Sequence, residues 1–166
     1  MYRIITVCTG NICRSPMAEI VLVRAISEAG LMNDVAVDSA GISDWEAGRS
    51  IDPRAARRLS RAGLASQAHR ARQFEQSWFQ DRDLILALDA DHYDALLRIA
   101  PDAAARQKVK MFRSFDPALA RRSPADQGIY DPWFGDDADF DACWDMIQSA
   151  VPGIVDYVRK ALDGRS

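Results

Sequence analysis

The chain has 166 residues, 48% of them hydrophobic and 27% charged, with a formal net charge of −3. That length supports one well-buried core and argues against a second, so residues 1–166 are expected to form a single domain. Charges of both signs are interleaved, with no basic tract to neutralise a nucleic-acid backbone, and no apolar run approaches the roughly 20 residues that span a bilayer.

The opening apolar stretch is too short for a signal peptide, and Cys8, Cys13 and Cys143 fit neither a disulfide framework nor a structural zinc site. A cytoplasmic protein with reduced thiols, bound to neither nucleic acid nor membrane, is expected. His69 and His92 are the only histidines and form no paired spacing, so a zinc or di-iron hydrolase has few ligands to draw on, while a carboxylate-bound Mg²⁺ stays open.

A β-branched run over 2–7 predicts a strand, and apolar residues at helical spacing over 16–29, closed by Gly30, predict a helix. A second short strand follows at 35–38. Asp52 as N-cap and Pro53 at the first helical position open a helix over 53–62, which Gly63 ends. A short helix near 74–80 precedes a strand over 83–88, whose continuous apolar run suits burial on both faces. Asp89 or Asp91 caps the next helix, to about 100. A fourth strand at 109–112 leads into a long polar segment reaching 137, and a helix over 140–162, weak at Pro152-Gly153, closes the chain. Strands alternating with helices predict a three-layer α/β/α fold around a parallel sheet, with ligands at the carboxyl ends of the strands. The loop 8–15 after the first strand and the segment 114–137 are the places to look.

The loop Cys8-Thr9-Gly10-Asn11-Ile12-Cys13-Arg14-Ser15 puts a thiol at a strand end and an arginine just before a helix. Gly10 and Asn11 tolerate positive φ, so successive N–H groups can curl inward as an anion nest, and the helix dipole adds positive potential. Arg14 offers a planar fork for two phosphate oxygens, and in that field the thiolate of Cys8 is favoured as a nucleophile. Ser15 suits either an N-cap or a hydroxyl donor to the Cys8 sulfur. A lone buried thiol and a plain turn would not explain Arg14, which is costly to bury without an anion.

The run Val7-Cys8-Thr9-Gly10-Asn11-Ile12-Cys13-Arg14-Ser15-Pro16-Met17-Ala18-Glu19 resembles the signature of low-molecular-weight protein tyrosine phosphatases of bacterial type. The resemblance continues through Asp38-Ser39-Ala40-Gly41, His69-Arg70-Ala71-Arg72-Gln73, Leu88-Asp89 and Asp131-Pro132-Trp133-Phe134-Gly135, in order along almost the whole chain. It implies a four-stranded parallel sheet with the phosphate loop after the first strand. It also implies hydrolysis of phosphotyrosine in proteins through a phosphocysteine, with neither metal nor cofactor, by a monomer that binds phosphate-like anions.

Asp52, Asp116 and Asp131 all precede proline, and the residues alone do not choose an acid among them. The resemblance selects Asp131 as general acid and base. It assigns Thr9, Gly10, Asn11, Ile12 and Cys13 to the phosphate loop, and Asn11, Ser39 and His69 to the hydrogen bonds beneath it. Trp45, Trp133 and Phe134 fall where walls for a phenyl ring are expected, whereas Trp78 and Trp144 read as core. Trp133 and Phe134 lack the hydroxyls that many relatives carry, which excludes phosphorylation there. Asp89 either orients Arg14 or caps a helix. Cys13 is read as a partner for Cys8 in a reversible disulfide, against the alternative of a small residue that fits the loop.

An arsenate reductase of similar fold would need two further cysteines within 74–100, which has none. A phosphocarrier would need neither Arg14 nor Asp131. A protein-arginine phosphatase would carry threonine at Ile12, so the isoleucine favours phosphotyrosine.

Overall fold

A computed structural model describes residues 1–164. Four strands, β1 (Tyr2–Cys8), β2 (Val35–Gly41), β3 (Leu84–Ala87) and β4 (Val109–Met111), form one parallel sheet in the order β2-β1-β3-β4. The helices are α1 (Arg14–Glu28), α2 (Pro53–Arg61), α3 (Ala90–Ile99), α4 (Ala103–Lys108) and α5 (Asp137–Asp163). Alternation along β1 separates two cores. Ile4 and Cys8 pack with α1 and α5 on one face, whereas Ile5 and Val7 pack with Phe74, Phe79 and Leu96 on the other. The three-layer α/β/α architecture and the four-stranded parallel sheet expected from the sequence are therefore present. No helix of the described residues is long and apolar enough to cross a membrane.

Several boundaries differ from expectation for physical reasons. The first helix begins at Arg14 rather than 16, and its N-cap is Cys13, whose side chain makes no capping bond. Ser15 is consequently inside the first turn, and the N-cap reading of Ser15 is wrong. The third strand is trimmed to Leu84–Ala87, and β2 runs on to Gly41, where it bridges Gln73. Asp89, not Asp91, caps α3 by accepting from the His92 amide at 3.0 Å. Asp102 caps α4, a helix without a sequence signal of its own length, by accepting from Ala105 at 2.7 Å. Two 3₁₀ turns, Phe112–Phe115 and Pro124–Gln127, interrupt the segment expected to be structureless.

The last helix starts at Asp137 through a capping box between Asp136 and Asp139, and it runs through Pro152 without a break. The carbonyl that Pro152 cannot satisfy belongs to exposed Gln148, where water can reach it. Gly153 serves packing, since a Cβ there would lie 2.1 Å from the Phe115 carbonyl oxygen.

Gly41 fixes how closely β2 approaches the loop that leaves β1. A Cβ on it would stand 2.6 Å from the Thr9 carbonyl oxygen and 3.2 Å from the Asn11 nitrogen, both backbone atoms that cannot rotate aside. Gly41→Ala is expected to destabilise the protein by about 1–3 kcal/mol in urea unfolding; a loss below about 0.5 kcal/mol would mean that the loop shifts freely.

Candidate active site

The loop between β1 and α1 is bent by its surroundings. Its carbonyls are drawn outward: Cys8 to the Ile42 amide at 2.8 Å, Thr9 to the Ser43 amide at 3.0 Å, and Ile12 to the Asp52 amide at 2.8 Å. Asn11 completes the turn with φ of 59°, while Gly10 does not use the positive φ open to it. With the carbonyls committed outward, the loop's N–H groups are left for an anion on the inner side.

Asn11 is fully buried, and its conformation is secured at four points. Its carbonyl accepts from His69 Nε2 at 2.7 Å, and its Oδ1 accepts from the Arg72 amide at 3.0 Å. Its Nδ2 donates to the hydroxyls of Ser15 and Ser39, each at 2.9 Å. The Ser39 hydroxyl in turn donates to the Glu19 carboxylate. Burial and the positive charge of Arg72 and Arg70 outweigh the Asn11 bond and hold His69 below its usual pKa, so the ring is neutral near pH 7.

Ser15 Oγ lies 2.9 Å from Cys8 Sγ and 3.2 Å from the Ala40 carbonyl. Asn11 donates to one of its lone pairs, so the single hydroxyl proton is shared between the sulfur and the Ala40 carbonyl, with the sulfur the nearer of the two. Cys13 and Cys143 are also buried and free. Burial, then Asp52, pushes the Cys13 thiol up, and burial pushes Cys143 up to about 12.

Arg14, 4% exposed, enters from the start of α1. Its Nη1 donates to Asp89 at 2.6 Å and to the Ile129 carbonyl at 3.2 Å, and its Nη2 reaches Asp131 at 3.3 Å. Burial opposes its charge, but Cys8, Asp131 and Asp89 outweigh burial and raise its pKa. Asp89 therefore does both things the sequence left as alternatives, capping α3 and orienting Arg14.

These groups meet in a cleft of about 310 Å³, with Cys8, Ile12, Cys13 and Arg14 at its base. Trp45 and Phe134, 79% and 97% exposed, stand at its mouth with Trp133, 39% exposed, and Asp131 lines it within 3.3 Å of Arg14. Trp144 is buried as expected, and Trp78 is half-buried, packed against the core at Phe74 with the guanidiniums of Arg72 and Arg82 at 4.7 and 5.3 Å from its ring.

Three site-building residues carried no sequence signal strong enough to be noticed. Glu46 lines the cleft and pairs with Arg49 at 2.8 Å. Arg54 joins Asp52 to the Asp131 loop. His92, buried on α3, bonds the Thr9 hydroxyl at 2.8 Å through Nε2 and lies 3.1 Å from Asp89 through Nδ1. Its place three residues after a capping aspartate was the available clue.

Burial drives the His92 pKa down to about 4, with Asp89 only partly offsetting it. The unfolded imidazole titrates near 6.5, so the unfolded chain binds more protons between the two values. The His92 contribution to stability is complete above about pH 6.5 and is lost as pH falls toward about 4. Urea unfolding at about pH 7.5 and about pH 5 is expected to show a smaller loss of stability on acidification in His92→Asn than in the parent. Equal losses would contradict the buried, neutral ring.

Residues 3–163 match the family model described as low molecular weight phosphotyrosine protein phosphatase. A low molecular weight protein-tyrosine-phosphatase of Streptomyces coelicolor is 44% identical over 165 residues, covering 99% of this chain and 98% of the relative. Low molecular weight protein-tyrosine phosphatase A of Mycobacterium tuberculosis is 40% identical over 156 residues, covering 94% and 91%. A solved protein tyrosine phosphatase from Entamoeba histolytica superposes with a TM-score of 0.89 at 27% identity, covering 97% of this chain and 99% of that one. With the match running nearly end to end and the thiol, arginine and aspartate gathered in one cleft, the chain belongs to the low molecular weight phosphotyrosine protein phosphatase family.

Proposed function

We propose that the chain hydrolyses phosphotyrosine in proteins through a phosphocysteine on Cys8. The observation that carries this reading is the convergence of Cys8, Arg14 and Asp131 on one cleft with aromatic side chains at its mouth. The Cys8 thiolate attacks phosphorus from the base of the loop. The bond from phosphorus to the phenolic oxygen breaks, its electron pair stays on that oxygen, and protonated Asp131 supplies the proton.

Arg14 binds the phosphoryl group. With Nη1 committed to Asp89 and the Ile129 carbonyl, its Nε and Nη2 remain for two phosphate oxygens, Nη2 exchanging its Asp131 contact for one of them. The inward amides of 9–13 share the charge that spreads over the oxygens in the transition state. In the second step Asp131, now a carboxylate, takes a proton from water as the water attacks phosphocysteine. The sulfur–phosphorus bond breaks, phosphate leaves, and the Ser15 hydroxyl at 2.9 Å stabilises the departing thiolate. Asn11, Ser39, His69 and Asp89 hold these groups in place.

Trp45, Trp133 and Phe134 favour a phenyl ring that spans the depth between the mouth and Cys8, a distance that the shorter phosphoserine does not cover. Ile12, buried at the base, gives no hydroxyl to a phosphoramidate nitrogen, which favours phosphotyrosine over phosphoarginine. Cys13 shares the loop with Cys8, which supports its reading as a disulfide partner after oxidation; its raised pKa leaves Cys8 as the thiol that peroxide attacks. The setting that this reading calls for is a cytoplasmic, monomeric, single catalytic domain over 1–166, working on phosphoproteins without a metal.

Peptides bearing phosphotyrosine, phosphoarginine or phosphoserine, compared at equal concentration, are expected to be dephosphorylated fastest at tyrosine. Fastest turnover of phosphoarginine would contradict the substrate assignment. Cys8→Ser is expected to abolish turnover, and Asp131→Asn to lower the rate by about 100-fold or more on substrates with poor leaving groups. Full activity of Cys8→Ser would contradict the nucleophile.

A further inference from the structure

Arg54 is the second residue of α2, and its guanidinium is shared between two loops. It holds both carboxylate oxygens of Asp52 along one edge, Nε to Oδ1 at 3.1 Å and Nη2 to Oδ2 at 2.9 Å. The Asp52 amide in turn donates to the Ile12 carbonyl of the phosphate loop at 2.8 Å. The remaining nitrogen, Nη1, donates to the Gly135 carbonyl at 2.8 Å, at the far end of the loop that carries Asp131. The guanidinium also lies 4.8 Å from the Phe140 ring and 6.0 Å from Trp133.

The Asp131 loop is pinned at its near end by Ile129, whose amide donates to the Leu88 carbonyl at 2.7 Å and whose own carbonyl accepts from Arg14. Inside the loop the Gly135 amide closes a turn onto the Pro132 carbonyl at 2.9 Å, and the Trp133 amide donates to Asp131 Oδ1 at 3.1 Å. These bonds shape the turn, and the one direct tie from Asp131 to Arg14, at 3.3 Å from Nη2, is exchanged for a phosphate oxygen, so none of them sets the height of the turn over the occupied phosphate loop. Arg54 supplies that distance, because a rigid planar group with bidentate geometry fixes both the separation and the angle of what it joins.

We propose that Arg54 is the positioning residue for Asp131, a strap from the phosphate loop through Asp52 to the acid loop that sets where the proton is delivered. This rests on the assignment of Asp131 as the acid. Loss of the strap leaves the anion site of Cys8 and Arg14 intact, so phosphorus is still attacked, but the leaving oxygen receives its proton from a misplaced carboxyl. A phenol that leaves well without a proton scarcely registers the change, whereas tyrosine does.

The test compares kcat/KM for a phosphotyrosine peptide and for p-nitrophenyl phosphate, whose phenol is far more acidic. Arg54→Met is expected to lower the first by about tenfold or more and the second by less than about threefold. In an Asp131→Asn background the same substitution is expected to cost less than about twofold on either ester, because the group it positions is gone. Arg54→Lys, which keeps the charge beside Asp52 without the fork, is expected to fall between parent and Arg54→Met, with the same preference for the nitrophenyl ester. Equal losses on both esters in Arg54→Lys and Arg54→Met, or a full loss on top of Asp131→Asn, would reduce Arg54 to a structural residue and overturn the proposal. If Asp131→Asn alone slows both esters equally, Asp131 is not the acid, and the proposal falls with that assignment rather than through Arg54.

Discussion

The left-handed backbone of Asn11 is the constraint on which the site depends, because it reverses the chain between a strand that ends at Cys8 and a helix that begins at Arg14. Asparagine tolerates that conformation better than most residues other than glycine but still at a cost. The cost is offset by four hydrogen bonds reaching Ser15, Ser39, His69 and the Arg72 amide, which lie on three separate stretches of chain. Each of those partners is held in turn. Arg72 bonds the Ser39 carbonyl at 3.1 Å and pairs with Asp38, and the amide of Gly41 bonds the Arg72 carbonyl at 2.8 Å. The loop's shape is therefore stored in β2 and in residues 69–73, and a ligand meets donors that are already aimed.

The second half of the site is electrostatic. A buried arginine is tolerable only with compensating negative charge, and Arg14 has Asp89, the Ile129 carbonyl, Asp131 and the Cys8 sulfur around it. Asp89 is shared between Arg14 and the first turn of α3, so the same carboxylate fixes a helix and a guanidinium. His92, kept neutral by burial, donates its backbone amide to that carboxylate and meets the Thr9 hydroxyl, beside the nucleophile, through Nε2. Trp45, Trp133 and Phe134, all exposed, line the same cleft as this buried charged cluster, so apolar contact and charge are supplied by different residues.

Much of this was legible in the sequence because it is local. β-branched and continuous apolar runs marked the strands and helical spacing marked the helices, and Cys8 to Ser15 are eight consecutive residues whose types suit an anion loop. What the sequence hid arises from contacts between distant segments. Ser15 suits by type both a helix cap and the Cys8 sulfur, and only its place inside the first turn, with Asn11 and Cys8 at its hydroxyl, decides between them. Asp52-Pro53 reads as a helix start, and it is one, but the arginine that follows works 81 positions away at Gly135. Pro152-Gly153 reads as a break, whereas close packing on Phe115 keeps the helix whole. Asp131 could be separated from Asp52 and Asp116 only through the family signature, since all three share the same local pattern.

The central claim is that the loop delivers the phosphoryl group to the sulfur of Cys8. Acid quenching of Asp131→Asn during turnover of a phosphotyrosine peptide, followed by mass spectrometry of the digested enzyme, tests it directly. Phosphate bound at Cys8 in the digested enzyme is the predicted result. Phosphate at Cys13 or Ser15, or tyrosine released with no enzyme-bound phosphate at any time, would contradict it.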